Sequence, residues 1–138
     1  MLEFQIHYPA VTAAAFATMV LGAVWYAPPL FGNAWLQAHG FSDEQATALR
    51  KDMGRTSLIS LVCYLVMAFA LAVIATTIGV TTASQGALLG GFMWLGFLAT
   101  MGMTAQLFSQ KSITVYLIDG AYQLVYCVLM GVIIAVWR

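Results

Sequence analysis

Four long apolar runs set the plan of this chain. They cover residues 9–27, 56–78, 85–108 and 112–137. Each is about 19 to 26 residues long, which as helix crosses a hydrocarbon layer of ~30 Å. One long polar connection, residues 30–55, separates the first run from the second, and the other two links are short. Within the runs the polar and small residues fall on stripes. At 3.6 residues per turn, Ser112, Tyr116, Asp119, Gln123, Tyr126 and Met130 share one side of the fourth run, while Leu, Ile and Val fill the rest. A polar seam on an apolar helix should face protein or a wet cavity rather than lipid. Ala10, Ala14, Thr18 and Gly22 line up on the first run, and Gly86, Gly90, Met93, Gly96, Thr100 and Thr104 on the third. On the second, Ser57, Ser60 and Tyr64 form a polar edge, continued by Ala68, Ala72 and Thr76. Small residues at this spacing let helices approach closely. The pattern predicts an all-α fold, a four-helix integral membrane bundle forming one domain over residues 1–138.

Punctuation refines the picture. Pro9 suits a first helical turn, and Pro28-Pro29 ends the first span. Trp25 and Tyr26 mark one membrane–water boundary, His7 the other, and Trp137 with Arg138 anchors the final end. Leu30, Phe31, Ala34, Trp35 and Ala38 share a helical face, so residues 30–39 are expected to lie flat in the interface until Gly40 breaks them. Ser42 then opens a short helix through a capping box with Gln45. Asp43 and Glu44 at its start and Arg50 and Lys51 at its end match its dipole. The connection therefore reads as a helical hairpin outside the bilayer. The link over residues 79–84 makes spans two and three an antiparallel hairpin, with Ser84 able to cap span three.

Composition agrees. The chain is 62% hydrophobic and 7% charged, with mean hydropathy +0.90, and so few charges cannot cover a water-facing surface of this size. A formal net charge of zero gives nucleic acid nothing to recognise. The first residues lack Lys and Arg, so the first run reads as a retained span rather than a secretory signal. Arg50, Lys51, Arg55 and Lys111 lie in the first and third connections, against Arg138 alone on the other side. The positive-inside rule puts those connections in the cytoplasm and both termini outside. Cys63 and Cys127 lie at different depths, about 10 Å and 22 Å into spans that start on the same face, so they are packing residues rather than a disulfide.

Depth also gathers the candidate chemistry. Asp119, Tyr116 and Gln123 of span four, Thr100 and Thr104 of span three, and Ser60 and Tyr64 of span two fall in the same cytoplasmic-side third, with Trp25 and Tyr26 at the rim. Two readings compete for Asp119: an ion or polar-solute site, and a structural knot of hydrogen bonds between spans. The sequence carries no Gly-x-Ser-x-Gly, His-Glu-x-x-His, phosphate-binding Gly-Lys pair or CxxC. No enzymatic activity, metal or cofactor is expected.

The stretch Trp25-Tyr26-Ala27-Pro28-Pro29-Leu30-Phe31-Gly32-Asn33-Ala34-Trp35 is specific. With Trp94-Leu95-Gly96-Phe97, the segment Tyr116-Leu117-Ile118-Asp119-Gly120-Ala121-Tyr122 and Trp137, it resembles the bacterial membrane family known as domain of unknown function 1761. The resemblance implies a four-span bacterial inner-membrane protein with no established activity. Similar sequences often carry an amide at the position of Asp119, which implies that hydrogen bonding is the shared requirement there. The leading expectation is a homo-oligomeric protein that binds or passes a small polar or ionic solute near Asp119. The alternative is a non-transporting accessory protein whose cytoplasmic hairpin docks a partner, and a lipid- or quinone-directed enzyme ranks last.

Overall fold

A computed structural model describes residues 5–110 and 112–137. Lys111 and Arg138, on which part of the expected orientation and terminal anchoring rests, lie outside the described residues. All regular structure among the described residues is helical. Four helices are long and apolar enough to cross a membrane: span one, Tyr8–Trp25; span two, Met53–Ile78; span three, Ala83–Ser109; and span four, Ile113–Val136. The fold is an all-α four-helix bundle, and two short helices, Asn33–His39 and Asp43–Lys51, join spans one and two.

Span four is the axis of the bundle. Buried residues make up 44% of its most apolar window, against 17% to 28% in the other three, and it touches all of them. Its buried side carries Val115, Ile118, Tyr122, Tyr126, Cys127, Met130 and Ile134. Span one presents Ala10, Val11, Ala14, Ala15 and Thr18 to the core, so its stripe of small residues is used inside one chain. Outward faces remain apolar, as on Leu88, Phe92, Val66 and Leu58, as a lipid-solvated bundle requires. Cys63 and Cys127 are free thiols, one exposed and one buried.

Span three rests chiefly on span four, and glycine sets their separation. A Cβ on Gly86 would overlap the Gly131 carbonyl, one on Gly131 would overlap the Gly86 carbonyl, and one on Gly90 would overlap the Cys127 carbonyl. Backbones this close exchange dispersion along their length without any polar group. The hairpin expected of spans two and three is a connection with little interface, because span four occupies the packing face of span three.

Helix ends follow local chemistry. Pro9 lies in the first turn of span one, with His7 as its N-cap, and the His7 ring packs 5.5 Å from that of Trp137. Gly79 ends span two with φ 80°, a left-handed conformation that glycine adopts without cost. The expected cap of span three moves two residues: Thr82, not Ser84, is the N-cap, accepting from the Gln85 amide while the Gln85 side chain returns the bond. Ser42 and Gln45 form the expected capping box.

Span three is not one uniform helix. Residues Trp94–Leu98 form a single π-helical turn, in which the Ala99 amide reaches the Trp94 carbonyl. Such a turn inserts one extra residue. The side facing span four, begun by Gly86 and Gly90, therefore continues through Leu98, Ala99 and Gly102, while Gly96, Thr100 and Thr104 are exposed. A stripe read at constant 3.6 periodicity comes apart at this bulge.

Candidate functional site

The site begins where span one is forced to stop. A residue before proline is pushed out of the helical region, and Ala27 is extended at φ −65°, ψ 145°. The chain turns through Pro28–Gly32, with Leu30 at φ −102°, ψ −108°. This breaks the continuous face expected over residues 30–39: the following helix starts only at Asn33. Gly32 allows the turn to close, since a Cβ there would overlap the Tyr26 carbonyl oxygen. Folded back in this way, the turn stacks the Phe31 ring on Trp25 at 4.7 Å and sets Trp35 edge-on to Tyr26 at 6.0 Å.

Those aromatic residues do not only mark a boundary. Their polar edges converge on three consecutive residues of span four. The Trp25 Nε1–H donates to the Ile118 carbonyl at 3.2 Å. The Tyr26 hydroxyl donates to Asp119 Oδ1 at 2.5 Å, and the Trp35 Nε1–H donates to the same oxygen at 3.0 Å. From the other side, the Trp94 Nε1–H donates to the Gly120 carbonyl at 2.9 Å. A buried indole N–H or phenol O–H needs an acceptor, and Asp119 holds the only carboxylate within the four spans. Asp119 Oδ2 receives no hydrogen bond from a described residue.

A tyrosine layer lies next to the carboxylate. The Tyr122 hydroxyl donates to the Thr18 carbonyl at 2.9 Å and lies 3.2 Å from the Tyr64 hydroxyl, which can donate back to it. Tyr122 meets Tyr26 and Tyr126 edge to face at 5.3 and 5.0 Å. The Gly22 position lets the Tyr122 hydroxyl approach span one, where a Cβ would stand 2.7 Å from it.

These groups line one end of a half-open cavity of about 560 Å³ between the adjacent ends of spans one and two, with the two short helices along its edge. Asp119, Tyr26, Trp35 and Tyr122 form one wall, and Ser57, Ser60 and Tyr64 of span two face them. Arg50 of the second short helix also lines the cavity. A volume of this size suits a small organic molecule.

The residues expected to share the Asp119 layer divide. Asp119 and Tyr64 line the cavity together with Tyr26, Pro28, Gly32 and Trp35 of the sequence motif. Tyr116 turns the other way, donating its hydroxyl to the Ala99 carbonyl of span three at 2.9 Å. Gln123 is half-buried and makes no hydrogen bond to a described residue. Thr100 and Thr104 are exposed and donate to carbonyls of their own helix, Thr100 to Gly96 and Phe97 and Thr104 to Thr100, each at 3.0 Å. Their predicted depth stands apart from their facing, which the π turn rotates away from the cavity. The roles of Trp35 and Trp94 as donors were not anticipated. A signal was present for Trp94, an indole N–H in an apolar run with no polar side chain between Gln85 and Thr100.

Four apolar helices around a half-buried carboxylate held by aromatic donors define a multi-pass membrane protein with a largely apolar cavity, bearing a few polar groups, at one end of its bundle. Residues 9–135 match the family described as protein of unknown function (DUF1761), and the chain belongs to that family. Comparison with the curated proteins and with the solved structures finds no match.

Proposed function

We propose that this protein binds a small polar or ionic solute in the cavity beside Asp119, at the cytoplasmic end of a bundle in the bacterial inner membrane. One observation carries the reading: the only carboxylate of the spans has one oxygen fixed by two donors and the other without a described partner, and it lines a cavity of about 560 Å³. A carboxylate needed only as a fastener would be served by the first oxygen alone. The cytoplasmic assignment rests on Arg50, Lys51 and Arg55 at that end. Span one and the first half of span three use their small-residue stripes within the chain, so the homo-oligomer would form through other surfaces. No enzymatic role is proposed.

A second reading has its own observation. The Tyr26 and Trp35 bonds to Asp119 tie the inter-span connection to span four, and a structural or accessory protein would use Asp119 as that tie alone. The two readings part on a cavity-filling change. Thermal unfolding of the purified protein in dodecyl maltoside is measured against a panel of small polar solutes, with wild type and Ser60→Trp. Solute binding predicts that a panel member raises the midpoint of wild type and not of Ser60→Trp, because a ligand stabilises only the state it binds. If no solute shifts wild type and Ser60→Trp melts as wild type does, the fastener reading holds instead.

A further inference from the structure

The charges that line the cavity narrow what it can hold. Among its lining residues only Asp119 and Arg50 bear a full charge, and neither forms an ion pair with a described residue. One is an anion about two helical turns into span four, roughly 9 Å from its start. The other is a cation on the short helix Asp43–Lys51, before span two begins. Around the carboxylate the wall is aromatic, from Tyr26, Trp35 and Tyr122. Along span two it is hydroxylic, from Ser57, Ser60 and Tyr64.

Resting on the solute-binding reading above, we infer that the ligand is a small water-soluble zwitterion that enters amine first, its ammonium on Asp119 Oδ2 and its anionic group on Arg50. A ligand carrying both complementary charges meets the half-buried Asp119 and the exposed Arg50 of the cavity wall at once. A carboxylate with one open oxygen accepts an ammonium N–H directly, and a guanidinium suits a carboxylate or phosphoryl group by its paired donors. A simple cation would satisfy Asp119 and leave Arg50 facing it with the wrong sign. A simple anion would meet Asp119.

The order of the charges selects the source. The cation stands at the outer rim and the anion deeper. A phospholipid with an ethanolamine head in the same leaflet presents the reverse order, with its phosphate nearer the hydrocarbon and its amine outside. The cavity therefore fits a dissolved ω-amino acid or aminoalkyl phosphate better than a lipid head.

The test uses the whole protein in dodecyl maltoside and matched probes: 4-aminobutanoate, butylamine and butanoate, followed by ω-amino acids from glycine to aminohexanoate. Affinities are read by isothermal titration. The zwitterion of best length should bind at least about tenfold more tightly than either single-charge analogue, the equivalent of one charge-assisted bond. Asp119→Asn keeps an acceptor for Tyr26 and Trp35, and Arg50→Gln alters a surface helix. Each should remove the tenfold preference while the melting midpoint stays near wild type. If butylamine binds as tightly as the zwitterion and Arg50→Gln changes nothing, the zwitterion assignment is overturned and the cavity remains a cation site. If no probe binds and the solute panel is also silent, the solute-binding reading fails with it. Loss of free-ligand binding in phosphatidylethanolamine nanodiscs would give the site to a lipid head and overturn the dissolved ligand.

Discussion

The two halves of span four are held by different physics. Over residues 124–136 its neighbour is span three at glycine distance, with Gly86, Gly90 and Gly131 bringing backbone against backbone and Met130 wholly buried. Over residues 113–123 the neighbours stand back, and aromatic side chains reach across: Trp25, Tyr26, Trp35, Trp94 and Tyr116 all end in a hydrogen bond on span four or, for Tyr116, from it. Close packing fills the space between spans three and four and leaves no room for a ligand between them. Long directional donors hold helices in register while keeping them apart, and the cavity lies on that side of the bundle. The contact with span three is built to be solid, and the aromatic contacts of the other half to be fixed but open.

The largest effect should come from the solid half. Gly90→Leu places a side chain into the Cys127 carbonyl, where no rotamer provides relief because the obstacle is backbone. The helices must separate along their contact, at a cost of about 3 kcal/mol or more. Gly90→Leu protein should be aggregated or depleted on size exclusion in detergent. Gly91→Leu, whose added Cβ meets nothing within 4 Å, should elute as wild type. Equal behaviour of the two would show that the close approach of spans three and four contributes little.

Next in size is the hinge of the open half. Gly32→Val pushes a branched side chain against the Tyr26 carbonyl, which unfolds the turn and withdraws Trp25, Tyr26 and Trp35 from span four together. A cost of about 2 kcal/mol is expected, with a red shift of tryptophan emission as indoles lose their acceptors. A normal midpoint with unshifted emission would mean the turn is held by something other than this contact.

The carboxylate itself should matter less to stability than its position implies. Asp119→Leu strands the Tyr26 hydroxyl and the Trp35 N–H, at about 1–2 kcal/mol in total, since hydrogen bonds in a bilayer average well below their vacuum strength. Asp119→Asn retains an acceptor and should lie within about 0.5 kcal/mol of wild type. Chemical or thermal melts of both variants give the comparison. An Asn variant as damaged as the Leu variant would mean that charge, and not hydrogen bonding, holds the connection.

Much of this was legible from residue order. Four runs of apolar residues specify four spans because bilayer thickness fixes their length, and the Ala10, Ala14, Thr18 and Gly22 stripe marks a contact face because only small residues allow one. The capping box at Ser42 was readable for a similar reason, being a local bond between residues three apart. What could not be read was direction across space. Trp25 and Tyr26 look like boundary anchors in sequence, and only the fold of the Pro28–Gly32 turn shows that their polar edges point inward to Asp119. Tyr116 shares a stripe with Asp119 yet bonds a different neighbour, because a tyrosine reaches far enough to choose between the flanking helices.

Thr100 and Thr104 make the same point at the smallest expected effect. Their depth places them beside Asp119, and a helix of constant period would aim them at span four. The π turn over Trp94–Leu98 adds a residue, and the side facing span four passes to Ala99 and Gly102. The threonines then satisfy their hydroxyls on their own helix, so replacing them costs neither a tertiary bond nor a packed methyl. The double change Thr100→Val and Thr104→Val should leave the midpoint within about 0.5 kcal/mol and leave solute binding unaltered. Deleting Gly96, one residue of the π turn, should return the helix to regular α geometry while the residues after it keep the same side toward span four, because the wide turn only absorbs the residue removed. The same double change should therefore stay silent in that background too. A midpoint that shifts measurably with the double change after the deletion would show that the extra residue does not set which side of span three faces the site.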